Sequence, residues 1–310
     1  MQLIESLDEI TPFGEAVITI GNFDGVHIGH QALFRTVIET AAAMEGVSVA
    51  MTFEPHPIRV LQKKYFPLIT LFEQKRELIE KSGIDALICV PFTMDFARIT
   101  AEQFVADLLV EKIGMRAIVV GHDYTFGRDR QGDITFLTDR AEALNYEVIV
   151  TDWIQDNDQE PNRISSTRVR ALVRTGQMQK ARKMLGRWYQ IRGKVTPGRN
   201  RGGELLGFPT ANINLQDELA PQNGVYAVWV EVGDERRMGV ANIGFSPTFD
   251  DHVFTVEVHL LDFDGNLYGK QIRVNFVKRI RGEIRFDSLE ALSAKIAEDI
   301  VVGKALLKET

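Results

Sequence analysis

Two histidines three residues apart, His27 and His30, stand in the run TIGNFDGVHIGHQALF with Gly21, Gly25 and Gly29 around them. The run follows an apolar strand candidate and leads into a helix pattern, so both imidazoles fall on one face of the first helical turn. A helix N-terminus favours phosphate through its free amides and dipole, and glycines let the backbone approach a ligand closely. Imidazoles placed there can donate to a phosphate whose charge grows during group transfer. A metal reading of the pair lacks nearby cysteines or a carboxylate cluster. Farther along, RISSTRVR places the hydroxyls of Ser165, Ser166 and Thr167, which also offer an N-cap, beside Arg168 and Arg170, forked donors suited to phosphate. In GELLGFPTANI, Thr210 and Asn212 are two apart and project to one side of an extended segment, where a hydroxyl and an amide oxygen suit Mg²⁺. In FTVEVHLLDF, Thr255, Glu257 and His259 alternate with apolar residues, and a carboxylate on such a strand can accept a proton from an attacking hydroxyl. Taken singly, the last three segments also read as a capped helix, a turn before a strand and a solvent-facing glutamate.

The elements that must position these groups fall into two grammars. Up to about residue 185, continuously apolar strand candidates (Ala16 to Ile20, Val47 to Phe53, Ala86 to Val90, Ala117 to Gly121, Glu147 to Thr151) alternate with helix patterns at Leu71 to Ser82 and Ala101 to Ile113. That alternation predicts a doubly wound parallel sheet, with ligands outside the carboxyl ends of its strands. Thr100 and Gln103 have the spacing of a capping box. After that point come strands bounded by turn residues, at Val225 to Val232, Met238 to Ile243, Phe254 to Leu261 and Gln271 to Ile280, with helical periodicity only from Leu289 to about Leu307. The expected architecture is α/β followed by an antiparallel barrel or sandwich with one C-terminal helix. The expected domains are 1–185 and 186–310, with the basic stretch Arg182 to Arg201 holding the joint.

The chain has 310 residues, longer than one core of about 250 residues usually supports. Its 36 Lys and Arg against 43 Asp and Glu give a net charge of −7, which argues against a protein that coats nucleic acid. No apolar run approaches the ~18 residues of a bilayer span, and the amino terminus lacks the pattern of a secretory leader. The single cysteine, Cys89, lies in the apolar run ALICVPF and reads as a buried, inert thiol. The expectation is a cytoplasmic protein, monomeric or transiently oligomeric, with small-molecule substrates and neither nucleic acid nor membrane as partner. Each Gly-Lys pair is followed by Val, Gln or Ala, so a kinase here is not a P-loop enzyme.

The histidine run resembles the HxGH signature of nucleotidyltransferases, and RISSTRVR resembles the element that closes over their triphosphate. TFEPHP (Thr52 to Pro57), GHDYTFGRDRQG (Gly121 to Gly132), FPTAN, EVHLLDF, ANIGFSPTF and RIRGEIRF together resemble, in order, the bacterial bifunctional riboflavin kinase/FAD synthetase family. The resemblance implies a Rossmann-like nucleotidyltransferase domain followed by an antiparallel β-barrel riboflavin kinase domain with a C-terminal helix. It implies that riboflavin is phosphorylated by ATP to FMN and that FMN is then adenylylated to FAD with release of pyrophosphate, both steps with Mg²⁺. By resemblance, Glu257 is the general base of the first step, and His27, His30 and Arg168 serve the second. Nucleotide and flavin contacts fall on Gly21, Asn22, Phe23, Asp24 and Gly29, on Asp123, Phe126, Gly127 and Arg130, and on Ser165, Ser166 and Thr167. In the second half they fall on Gly207, Pro209, Thr210, Asn212, Arg281 and Glu283, with Thr210 and Asn212 holding Mg²⁺. His56, between two prolines, reads as a turn residue rather than a base. Glu204 stands where the family usually carries a basic residue, with Arg199 and Arg201 near it. The rival readings are another HxGH enzyme, making a coenzyme A precursor (pantetheine-phosphate type) or a sugar nucleotide with an accessory barrel, and an aminoacylating or nucleic-acid-binding protein. The first leaves FPTAN and Glu257 unexplained, and the charge balance opposes the second.

Overall fold

The computed structural model describes residues 1–152, 154, 163–196, 210–215, 217–248 and 251–310, with the backbone alone at 245–248 and 251–254. The chain divides into two compact units: Met1–Phe66 with Thr70–Ser165, and Pro67–Ile69 with Ser166–Thr310.

The first unit runs β1 (Gln2–Ile4), β2 (Ala16–Ile20), α1 (Ile28–Ala43), β3 (Val47–Glu54), α2 (Pro57–Gln62), α3 (Phe72–Lys81) and β4 (Ala86–Pro91). It continues with α4, an α-helical turn over Ala101–Gln103 that widens to π-helix over Phe104–Ile113, then β5 (Met115–Gly121), α5 (Ile134–Leu144) and β6 (Glu147–Thr151). The capping box read from Thr100 and Gln103 forms, with reciprocal bonds of 3.2 Å. The strands lie in the order β1-β4-β3-β2-β5-β6, all parallel. Neighbouring strand residues alternate between two cores. Val17, Ala50, Leu87 and Val119 pack with Phe34 and Val37 of α1 and Ile79 of α3. Ile18, Met51, Ile88 and Val120 pack with Leu109 of α4 and Leu137 of α5. Helices on both faces explain why these strands carry unbroken apolar runs. From β2 the chain winds toward β3, and from β5 toward β6, so the topological switch point lies at the carboxyl ends of β2 and β5. Cys89 on β4 is 5% exposed, and burial pushes its thiol up to about 11.

In the second unit, α6 (Ser166–Arg174) and α7 (Met178–Leu185) precede β7 (Tyr189–Lys194), β8 (Ala211–Asn214), β9 (Gly224–Val232), β10 (Glu235–Thr248), β11 (Asp251–Leu260), β12 (Gln271–Arg281) and α8 (Leu289–Lys308). The antiparallel order is β7-β12-β9-β10-β11-β8. An antiparallel bridge from Thr196 to Asn212 links the end of β7 to β8 and nearly closes the barrel. Arg182 to Arg201, read from sequence as a joint, thus contains the end of α7 and the whole of β7. Ile191, Ile213, Val228, Val256, Val258 and Val274 are buried. Helix α8 covers β9, β10 and β12, with Leu307 against Ala227 and Val277, and Ile300 against Val225 and Val240. At Gly303 a Cβ would stand 2.9 Å from Val240, so this residue permits the close approach.

Asp299 of α8 is 3% exposed and receives both Arg281 Nε, at 2.9 Å, and Arg281 Nη2, at 2.7 Å. Removing one member of a buried ion pair strands the other, at about 3 kcal/mol or more. Asp299→Ala is expected to lower the unfolding free energy of the barrel unit by about that amount, read from the urea midpoint of its transition.

Candidate functional site

The loop after β2 has an irregular backbone. Phe23, Gly25 and Val26 take φ of 45°, 88° and 39°. Buried polar groups hold it. Gly25 N–H donates to Thr70 Oγ1 at 3.0 Å, and Thr70 N–H donates to Asp24 Oδ1 at 3.1 Å. Asp24 is therefore turned inward, 3% exposed. Gly21 N–H donates to Met51 O at 3.0 Å, and the Asn22 carbonyl accepts from Thr52 Oγ1 at 3.3 Å. The ring of Phe23 is buried against Phe34 and meets His30 edge-on at 5.3 Å.

The loop ends on His27, the N-cap of α1, whose Nδ1 accepts the His30 N–H at 3.3 Å. The two imidazoles stack with ring centroids 3.6 Å apart. The face predicted from spacing is therefore realised as a pair of rings at a helix N-terminus. Gly29 makes room for that pair, since a Cβ there would stand 3.2 Å from the His27 ring. The same position is 3.9 Å from the Ile164 carbonyl, so the chain entering the ISST segment passes the HxGH glycine.

The second switch-point loop, after β5, is pinned by a two-way bridge between Phe126 and Gly132, each bond 3.0 Å. Phe126 is 8% exposed and packs against Phe104 and Tyr124. Gly127, at φ 72°, lies against Ala101, which a Cβ would meet at 2.9 Å. Asp123 Oδ2 pairs with Arg163 Nη1 at 2.5 Å, joining this loop to the start of RISST. Arg130 sits at φ 57° and is exposed. Tyr124, which no sequence signal marked, buries a hydroxyl that has no hydrogen-bond partner among the described residues, and burial drives its pKa upward. Ser165 ends the first unit, while Ser166, Thr167 and Arg168 open α6 of the second. His56 caps α2, its Nδ1 accepting the Ile58 N–H at 3.3 Å.

In the barrel, strand register assembles the second group. Glu257 lies directly opposite Asn212 of β8 and Asn242 of β10. Directly paired residues share a face, so one row carries Asn212, Glu257 and Asn242. Val256 and Val258 are fully buried while Glu257 is exposed, so the carboxylate faces away from the barrel core, beside Asn212 at 8% exposure. Thr210 immediately precedes β8. Glu283 approaches β10: its Oε1 is 2.7 Å from where a Cβ on Gly244 would be, and its Oε2 accepts from Asn223 Nδ2 at 3.3 Å. Arg281, expected at the flavin, has its guanidinium on Asp299. Gly207 and Pro209, with Arg199, Arg201 and Glu204, lie outside the described residues. Among the described residues no cluster of three or more His, Cys, Asp or Glu could hold a metal.

A crevice at the switch point of a parallel sheet, entered by a histidine-capped helix, defines a nucleotide-binding α/β domain, and the chain couples it to an antiparallel barrel. Residues 10–168 match the family model described as FAD synthetase, and residues 185–307 the one described as riboflavin kinase. Proteins named bifunctional riboflavin kinase/FMN adenylyltransferase are 37% identical in Escherichia coli, covering 98% of this chain and 97% of that one, and 36% identical in Pseudomonas fluorescens, covering 99% and 98%. A solved Streptococcus pneumoniae structure described as a macrolide-efflux protein is 31% identical with a TM-score of 0.88, covering 97% of this chain and 98% of the other. No helix among the described residues is long and apolar enough to cross a membrane. The chain belongs to the bifunctional riboflavin kinase/FMN adenylyltransferase family, and both activities are indicated by its two matched domains.

The loop's dependence on Thr70 can be measured. Thr70→Val removes the hydroxyl that accepts the buried Gly25 N–H, a loss of about 1 kcal/mol. The α/β unit is expected to unfold at correspondingly lower urea, with the barrel transition unmoved.

Proposed function

We propose that the chain carries out two successive phosphate transfers at two separate sites, one in residues 1–185 and one in 186–310. In the barrel, ATP phosphorylates the riboflavin 5′-hydroxyl to give FMN and ADP. Glu257 accepts the hydroxyl proton, and Thr210 with Asn212 binds the nucleotide phosphates. In the α/β domain, a phosphate oxygen of FMN attacks the α-phosphorus of a second ATP, forming FAD as pyrophosphate leaves. The observation that carries the reading is the pair of placements on one chain: stacked imidazoles on a helix N-terminus at the switch point, and a carboxylate facing Asn212 across two barrel strands.

Neither step asks much covalent chemistry of the protein, and alignment with charge neutralisation supplies the rate. His27 and His30, with the α1 amides, donate to oxygens that gain charge as the α-phosphorus is attacked. Arg168 and the hydroxyls of Ser165, Ser166 and Thr167 take the departing pyrophosphate. The loop of Gly21, Asn22, Phe23 and Asp24 shapes the nucleotide side of the crevice, and Asp123, Phe126, Gly127 and Arg130 shape the flavin side. Around the barrel row, Gly207, Pro209 and Glu283 border the substrates, while Arg281 braces the strand that leads to Glu283. The hydroxyl of Thr210 and the amide oxygen of Asn212 are hard donors that fit Mg²⁺, which characteristically keeps few protein ligands and binds mainly through substrate phosphates. The ion would neutralise phosphate charge there and in the adenylyl site. We place the reactions in the cytoplasm, in a monomer or transient oligomer.

Incubation with riboflavin and Mg-ATP is expected to yield FMN and then FAD on chromatography; absence of both overturns the proposal. Glu257→Ala should stop FMN formation while FAD synthesis from supplied FMN continues, and loss of both would argue for one shared site. His30→Ala should slow adenylylation by about 10²–10³ through a lost donor to developing charge with kinase turnover intact. A wild-type adenylylation rate in that variant removes His30 from the mechanism.

A further inference from the structure

Lys75 of α3 is 5% exposed. A lysine so placed loses its hydration, and a sequence that needed only packing would carry leucine or methionine there. Its ammonium donates to Thr52 Oγ1 at 3.1 Å and to the Asn22 carbonyl at 3.4 Å, with Glu54 Oε2 at 4.0 Å. Thr52 lies at the end of β3 and donates to the same Asn22 carbonyl. Burial lowers the lysine pKa, opposed by the negative charge of Glu54.

That carbonyl belongs to the turn between β2 and the histidine-capped helix. The residues after it, at positive φ, direct it inward, where a backbone oxygen needs donors. A hydroxyl and an ammonium supply them. On the other side of the turn, Thr70 and Asp24 hold Gly25, and Gln31 Nε2 donates to the Val26 carbonyl at 2.9 Å. The Asn22 end rests on Lys75 and Thr52, which lie 53 and 30 residues away in sequence.

We propose that Lys75, acting with Thr52, is a positioning residue for adenylyl transfer: its buried ammonium holds the Asn22 carbonyl and so fixes the strained loop that delivers His27 and His30. The inference rests on reading that loop as the adenylyl-transfer site. Lys75 itself touches no substrate.

The test uses the full chain, with FMN formation from riboflavin as an internal count of folded protein. Lys75→Met is expected to lower kcat for FAD formation by about 10²-fold, the effect of a roughly 1 Å misplacement of reacting groups. The KM for ATP and FMN should stay within about threefold, because the lost alignment matters in the transition state, and kinase turnover should be unchanged. Lys75→Arg, which keeps the cation, should recover at least about tenfold of the loss, since it can still donate to the carbonyl. The double variant Lys75→Met/Thr52→Val should be no slower than Lys75→Met alone, because both act through one carbonyl. Unchanged adenylylation in Lys75→Met, independent losses that multiply, or parallel loss of kinase and adenylyl turnover would each overturn the assignment. If Lys75→Met does not accumulate folded, Thr52→Val decides: a fall in adenylylation with intact kinase supports the network, and a wild-type rate overturns it. His30→Ala separates the two ideas, since normal adenylylation there defeats the site reading, whereas its loss alongside a normal Lys75→Met rate defeats only the role of Lys75.

Discussion

A β-branched residue at φ 39°, as Val26 is, sits in a conformation that costs on the order of 1–3 kcal/mol and persists only when its surroundings over-determine it. The start of α1 depends on that constraint. If the turn relaxed, His27 would no longer cap the helix, and the stacking of His27 on His30 would go with it. The surroundings supply the restraint with buried polar groups. Thr70 accepts from Gly25 and donates to Asp24 across the turn, Thr52 and Lys75 hold the Asn22 carbonyl, and Gly21 is tied to β3. The glycines at 21, 25 and 29 permit the path; these groups select it.

The barrel meets the same need by other means. Glu257 owes its place to register. Val256 and Val258 point into the core, and a slip of one residue would bury the carboxylate and expose both valines. Pairing on both sides of β11 opposes that slip, so Asn212 and Asn242 flank the glutamate without any strained backbone. Helix α8 packs on β9, β10 and β12, and its Ile300 meets Val225, the residue directly opposite Asn242, so the helix borders the β10 end of this row.

Much of this was legible in the residues. Unbroken apolar runs marked five parallel strands, and turn-bounded strand patterns and a 3.6 period marked four barrel strands and the last helix, because burial of those segments leaves its pattern in the residues. The HxGH pair was legible because its two rings act at the distance of one helical turn. What stayed hidden lies where pattern and burial part company. Strand β7 reads as a basic linker because Gln190 and Arg192 alternate with its buried Tyr189 and Ile191; Arg192 donates to Gln190, whose own partner Asn275 is 85 residues away. Strand β8 offers only four residues, Ala211–Asn214, and two of them are asparagine. The inward turn of Asp24 depends on Thr70, which no local spacing connects to it. Arg281 reads as a flavin donor until its carboxylate partner appears one element later, on α8. Lys75 lies in an amphipathic helix where a lysine ordinarily faces water.

The two units therefore fail differently under substitution. A site carried on strand register tolerates changes outside its own row as long as the valines keep their faces, since rigid elements hold side chains more precisely than loops do. A site carried on an irregular turn inherits the sensitivity of every buried group that holds the turn, including groups that never meet a substrate. The buried groups that hold the β2–α1 loop are Thr52, Thr70 and Lys75, each 3% exposed or less except Lys75 at 5%. In the barrel the corresponding burden falls on Glu257 and its direct neighbours. Sequence spacing singles out the groups proposed to meet the nucleotide; the groups that hold their loop become visible only when the fold returns them to the same few ångströms.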